Sequence, residues 1–510
     1  MTGSVTGPVT GPVTGPVTGP VTGSVTGTGT LLITNVAVNG LPGLDVRADP
    51  GTILEIGHSL PRRDGELAVD GGGGEVIPGL HDHHVHLRAA VAARASVDVS
   101  AAANPAEFDA LVSAAAARAS SAGASSAGAS SRAWLRITGW YEHAAGAIDR
   151  YRLDVLAGPV PVRVQHRSGA MWVLNSAALR QADVDACDLP GVERDDQGAP
   201  TGRLLRLDGW LRDRLAARQG TDSAASFAVG LAEYAAAAAR AGITGFTEAT
   251  PGRDQADIDE YARLADAGVL PQRLLLMAPS GLRRSGTARV TLGPQKLILD
   301  DATLPAVADL ATAIADAHRA GSSFAIHCVT AEQLLISIAA LEQAGPEGDR
   351  IEHAGIVPPG CARDLSRLGI AVITNPGFIA DRGHDYLREV PVSERDWLYP
   401  CASLIEAGVA VAAGTDAPFG PADPWLCIAA AMTRRSAAGT VLGRSEQVPG
   451  VRALRLFLAD PGNVARTRTV APGQPSDLCI LRQPLRSVLA EPSAAAVQAT
   501  IVGGRVITRP

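Results

Sequence analysis

The sequence predicts an α/β protein: a parallel βα array of barrel type, joined to a small β-domain built from both chain ends. Three observations carry this. Helix-like stretches alternate with short apolar runs through the middle of the chain. β-branched runs broken by Gly and Pro occupy both ends, and His and Asp residues stand where successive apolar runs finish. Aromatic residues make up only 4%, so the core must come from Ala, Val, Leu and Ile.

The elements follow in chain order. Residues 1–29 repeat Val-Thr-Gly-Pro, present no hydrophobic face and read as a flexible tail. From Leu31, LLITNVAV and LDVRADPGTILEIG read as strands, and DLCIL and AVQATIVGGRVIT near the C-terminus share their texture, so 30–77 and 470–510 form the composite β-domain. Between them, 78–469 forms the array, with an insertion at about 97–220. The stretch 114–131, almost wholly Ala, Ser and Gly, reads as a surface loop or frayed helix. A helix around 231–240 feeds GITGFTEAT. Further helices at 306–320, 334–344, 362–368 and 404–407 feed FAIHC, RIEHA, IAVITNP and VAVAAGTD. In a closed (β/α)8 barrel the active site lies where strands end, at the C-terminal face. His327, His353, Asn375, Asp416 and Glu248 fall late in, or just after, these runs.

Composition excludes several classes. A net charge of -7 and a pI near 5.9 give no basic footprint for nucleic acid. No run of apolar residues is long enough for a membrane span. The six cysteines are scattered, which is no disulfide framework, and the N-terminus lacks the charged and apolar regions of a signal peptide. A cytoplasmic protein acting on a small molecule is expected, with a homo-oligomer left open.

The sharpest motif is PGLHDHHVHL, 78–87. On a strand, residues i and i+2 face the same side, so His84 and His86 can reach one ion, although His81 and His83 offer a competing pair. His327, His353 and Asp416 add metal-competent groups at three further strand ends. One count is unusual: Lys plus Arg is 45, yet Lys296 is the sole lysine. A bias toward Arg explains the absences but not the one exception.

PGLHDHHVHL, the strand-end His327 and His353, and GTDAP around Asp416 resemble the amidohydrolase superfamily of metal-dependent hydrolases. ITGWYE, RSGAMWVLNSAAL, GVERDDQGAPTG, RIEHA, GTDAPFGPADP, APGQPSDLCIL and TIVGGRVI are similar to its YtcJ-like branch, amidohydrolase family 3, which includes N-substituted formamide deformylases. The resemblance implies a distorted (β/α)8 barrel with a β-sandwich built from both chain ends. It implies that His84, His86 and Asp416 bind one metal and His327 and His353 a second, two zinc ions per chain. Lys296 falls where binuclear members carry an N-carboxylated lysine bridging the ions. A neutral amine can add carbon dioxide, whereas a guanidinium stays protonated and cannot.

The implied reaction is cleavage of a non-peptide C–N bond, in a small amide or N-substituted formamide, by metal-activated hydroxide with Asp416 as general base and acid. A mononuclear deaminase of cyclic amidines, a lactone or ester hydrolase on the same centre, and a homologue keeping only the fold are the alternatives. His143, Trp172 and Asn175 are expected to line the substrate site.

Overall fold

The computed structural model describes residues 29–125, 134–219 and 222–508. The Val-Thr-Gly-Pro repeat up to residue 28 and positions 126–131 of the Ala/Ser/Gly stretch lie outside them.

Both chain ends meet in one eight-stranded sheet. Leu31–Val38 turns back onto Leu41–Ala48 through Asn39 and Gly40, both at positive φ (52° and 79°), as a tight Asn-Gly hairpin requires. The two termini are joined where Glu75–Pro78 pairs antiparallel with Leu478–Leu481, Ile77 opposite Cys479. Ile33, Val36, Val46, Ile53, Ile480 and Ile501 form the sheet's core. Arg47 and Glu66 are buried beside it, Nε and Oε1 2.8 Å apart, because a charge leaves water only when paired.

Among the described residues outside the insertion, nine parallel strands carry the middle of the chain. They are β1 (Leu80–Val85), β2 (Ile243–Glu248), β3 (Arg273–Met277), β4 (Val290–Gly293), β5 (Gln295–Ile298), β6 (Phe324–Cys328), β7 (Arg350–His353), β8 (Ala371–Thr374) and β9 (Val411–Ala413). They pair in the orders β1-β2-β3-β4 and β5-β6-β7-β8-β9. Pro294 alone separates β4 from β5, and its missing N–H interrupts the ladder there. At the other end, Asp416 N donates to His84 O (2.8 Å) and His86 N to Ala417 O (3.0 Å), bringing the segment after β9 against the end of β1. Gly414 permits this approach, since a Cβ there would lie 2.5 Å from His84.

Helices flank these strands. Val307–Arg319, Ala331–Ala344 and Cys361–Leu368 bury Leu310, Ile314, Leu334, Leu341 and Leu365 against Ile326 and Ile351. Ala331–Ala344 begins earlier than its apolar pattern suggests because Thr330 and Gln333 form a reciprocal capping box.

Between β1 and β2 lies a six-stranded sheet with its own core of Phe108, Val112, Ile137, Trp140, Leu153, Val162 and Val164. Of the two readings of the Ala/Ser/Gly stretch, surface loop or frayed helix, the helix Pro105–Ser125 realises the second over the stretch's described residues, 114–125. Phe108, Val112 and Ala116 recur at helical spacing and are buried, and alanine favours the helix between them. Among the described residues, no helix is long and apolar enough to cross a membrane.

Candidate metal centre

The site is assembled at the end of β1, whose six residues are all buried. Asp82 ties this strand to the segment after β9: its carboxylate accepts from Thr415 N (2.9 Å), Thr415 Oγ1 (2.5 Å) and His84 N (3.3 Å). Burial pushes the Asp82 carboxyl up to about 6 against those hydrogen bonds. His84 lies on β1. His86 lies just beyond it, at the N-cap of the helix Leu87–Arg94. In the alternate register His81 faces Thr247 Oγ1 (2.9 Å) and packs on His83.

Three imidazoles are held the same way. His84 Nδ1 faces Glu352, His86 Nδ1 faces Thr250 Oγ1 (2.9 Å), and His353 Nδ1 faces Asn375 Oδ1 (2.8 Å). Fixing one ring nitrogen with a polar partner leaves the other as an electron-pair donor, the arrangement metal-binding histidines require. Asp416, at φ 55°, places Oδ1 3.7 Å from His84 Nε2 and 3.2 Å from His86 Nε2. One ligand atom from each of His84, His86 and Asp416 lies within 4.8 Å of the others.

His353 extends the cluster, its ring centroid 4.5 Å from that of His84 and 4.5 Å from that of His327. Ordinarily Glu352 and His353, adjacent on a strand, would face opposite sides. His353 has φ 71° and Ala354 φ 47°, so the chain turns as β7 ends and both side chains reach the centre.

Lys296 lies on β5, buried, beside Ala325 of β6. Burial pushes its ammonium from 10.5 down to about 8, although Glu352 and Asp416 oppose the shift. Burial also lowers His84, His327 and His353, which favours the neutral ligand form. For Asp416, burial works upward but is outweighed by His86 and the other imidazoles, which hold its carboxyl well below the usual range.

The donor set can be tested against a metal. His84 Nε2, Asp416 Oδ1 and Lys296 Nζ are buried without a hydrogen-bond partner among the described residues. Buried polar atoms are normally satisfied. Imidazole nitrogens and a carboxylate oxygen converging on one enclosed point fit a divalent cation.

The substrate-site expectations divide. His143 is exposed and lines a cavity of about 810 Å³ that opens between the insertion, the helix Gly377–Glu389 and the segment after β9. Trp172 and Asn175 serve the insertion's own scaffold instead. The Trp172 indole donates to Asp208 (2.5 Å) under the guanidiniums of Arg136 and Arg163. Asn175 caps the helix Ser176–Gln181, accepting from Val162 N and Ala178 N (3.0 Å each) and donating to Val160 O (2.8 Å). Sequence reasoning passed over Glu352 and Thr250, whose signal was only a polar residue within or beside a buried run.

Comparison with known proteins agrees with this chemistry. Residues 67–508 match the amidohydrolase family. The chain is 26% identical to the N-substituted formamide deformylase of Arthrobacter pascens, covering 89% of this chain and 92% of the relative. It is 23% identical to YtcJ of Bacillus subtilis (strain 168), over 85% and 89%. Among solved structures, an uncharacterized metal-dependent hydrolase from Pyrococcus horikoshii OT3 superposes with a TM-score of 0.64 at 19% identity, covering 84% and 91%. Atrazine chlorohydrolase TrzN from Arthrobacter aurescens TC1, complexed with zinc, gives 0.55 at 14% identity over 94% and 95%; these two likenesses concern the fold. With the match spanning most of its length, the chain belongs to the amidohydrolase family and is a hydrolase acting on carbon–nitrogen bonds.

Proposed function

We propose that the chain hydrolyses a non-peptide carbon–nitrogen bond, in a small amide or N-substituted formamide, at a centre of two zinc ions. One observation carries the reading: imidazoles fixed at Nδ1 converge with Asp416 beside the chain's sole lysine, whose Nζ is buried and unpartnered. His84, His86 and Asp416 would hold one ion and His327 and His353 the other, with Lys296 as its N-carboxylate between them. The eight strand positions, with β4 and β5 as one strand bent at Pro294, then form the distorted barrel. The single eight-stranded sheet built from both chain ends would take the place of the β-sandwich.

When bound, a divalent metal polarises a carbonyl and lowers the pKa of water. The chain's residues do the rest. Asp416, kept ionised, takes the proton of the attacking water and returns it to the leaving nitrogen, without which an amine is a poor leaving group. Glu352, Thr250 and Asn375 hold three imidazoles in orientation. The deformylase relative, similar over most of both chains, supports the substrate class.

The test is a panel of N-substituted formamides, small amides, lactones and cyclic amidines offered to purified holoenzyme. Release of formate or carboxylate with free amine supports the reading. Turnover confined to lactones, or ammonia release confined to amidines, refutes it. A mononuclear deaminase is the second reading, favoured by the tight trio of His84, His86 and Asp416. Lys296→Ala would then leave activity nearly intact.

A further inference from the structure

The cavity between the insertion and the helix Gly377–Glu389 reaches Ala417, Pro418 and Phe419, directly after Asp416. Phe419 stands between this cavity and the ligand cluster. Its ring lies edge-on to His86, centroids 5.5 Å apart at 71°. The backbone beneath it is fixed: Phe419 N donates to Asp416 O (2.7 Å), and the Arg382 guanidinium donates to Phe419 O. Arg382 also donates to Arg167 O on the insertion (3.2 Å), and Arg167 in turn pairs with Asp385. One arginine thus ties the insertion, the helix Gly377–Glu389 and the Phe419 segment together.

On the insertion side the ring rests on Gly169. A Cβ there would lie 2.4 Å from Phe419 Cε1, and Gly169 has φ 77°. Space and backbone conformation each demand glycine opposite the ring. Phe419 is therefore wedged between a candidate metal ligand and the insertion, with little room to move unless one of its supports moves.

Resting on the amide-hydrolase reading, we infer that Phe419 is a specificity-determining residue. Its ring sets the bulk of the substrate group that can lie beside His86, while the rest of the substrate occupies the cavity. A wall with no polar tip recognises an apolar group by contact, so the group it selects is an alkyl or aryl substituent of the amide. Arg382 is a positioning residue, acting through the Phe419 carbonyl.

The test uses acetohydroxamate and benzohydroxamate, metal-chelating ligands of different bulk, titrated calorimetrically into zinc-loaded full-length protein. Phe419→Ala should shift the affinity ratio toward benzohydroxamate by about 10-fold or more, since hydrophobic pockets discriminate on that scale. Phe419→Trp should shift it the other way, with zinc content unchanged in both. Should the alanine variant fail to fold, Phe419→Leu keeps an apolar side chain of intermediate bulk and should move the ratio in the same direction by a smaller factor. A ratio that stays constant across the folded variants overturns the assignment. Hydroxamate binding requires the metal but no turnover. Inertness toward every amide would refute the hydrolase reading alone, whereas amide turnover with a constant ratio would refute only the role of Phe419.

Discussion

Replacing Lys296 with Met separates what the buried ammonium costs the fold from what it contributes to the centre. Burial moves the amine from 10.5 to about 8, which corresponds to a folded-state penalty of about 3 kcal/mol on its protonated form. The sign follows from linkage. Below pH 8 the folded and unfolded chains both carry the proton and the full penalty applies. Between pH 8 and 10.5 the unfolded chain holds a proton the folded chain has lost, so stability rises with pH; above that window the penalty is gone. Methionine fills similar space without charge. Metal-free Lys296→Met should therefore resist urea better than metal-free wild type at pH 7, by up to ~3 kcal/mol, with the gap closing as the pH approaches 10.5. The same substitution should abolish most hydrolysis by the zinc-loaded enzyme. At pH 7 a pKa of about 8 leaves roughly one amine in ten neutral, against about one in three thousand for an ordinary lysine, and the neutral form is what carbon dioxide addition consumes. Equal or lower stability of the variant at pH 7, with no gap that depends on pH, would refute the reasoning.

Other substitutions probe the rest of the account. Asp416→Asn should lower kcat about 1000-fold on the best amide substrate, measured at saturating zinc, because it removes both a ligand and the proton carrier. Glu352→Gln should leave the fold intact and weaken zinc binding about 10- to 100-fold in competition with a chromogenic chelator, since His84 loses the carboxylate that orients it. In the terminal sheet, burial works to raise Glu66, but its hydrogen bonds with Arg47, the Arg63 backbone and Thr30, together with the Arg47 charge, outweigh this and hold the carboxyl below 4.5. Its contribution is present above pH 4.5 and lost as pH falls through the depressed value. Glu66→Gln should thus cost about 2 kcal/mol at pH 7 and progressively less in acid, followed by denaturation at several pH values.

Much of this was legible from local pattern. Apolar runs buried on both faces announced the parallel strands, and an Arg-rich chain with one lysine marked Lys296 before any geometry was known. Spacing alone left His84 and His86 level with His81 and His83; the family resemblance separated the pairs, and Glu352 and Thr250 hold the Nδ1 atoms of the first. Those partners, on β7 and just beyond β2, lie far away in sequence. Glu352 was hidden for a further reason: strand alternation assigns it to the face opposite His353, and only the turn at His353 and Ala354 brings both to one place. Trp172 and Asn175 present the converse situation. An indole and an amide near a site motif look ready for a substrate, but Asp208, Val160, Val162 and Ala178 already satisfy them. The Phe419 wedge left no local trace, because it depends on a glycine in the insertion meeting a ring that follows β9.

Metal content tests the central claim most directly. Full-length wild type and Lys296→Ala, purified without chelator or added metal, would be analysed by inductively coupled plasma mass spectrometry. The account expects about two divalent ions per wild-type chain, falling to about one in the variant together with loss of amide hydrolysis. About one ion in both proteins, with hydrolysis retained by the variant, would contradict the binuclear centre and return Lys296 to a structural role.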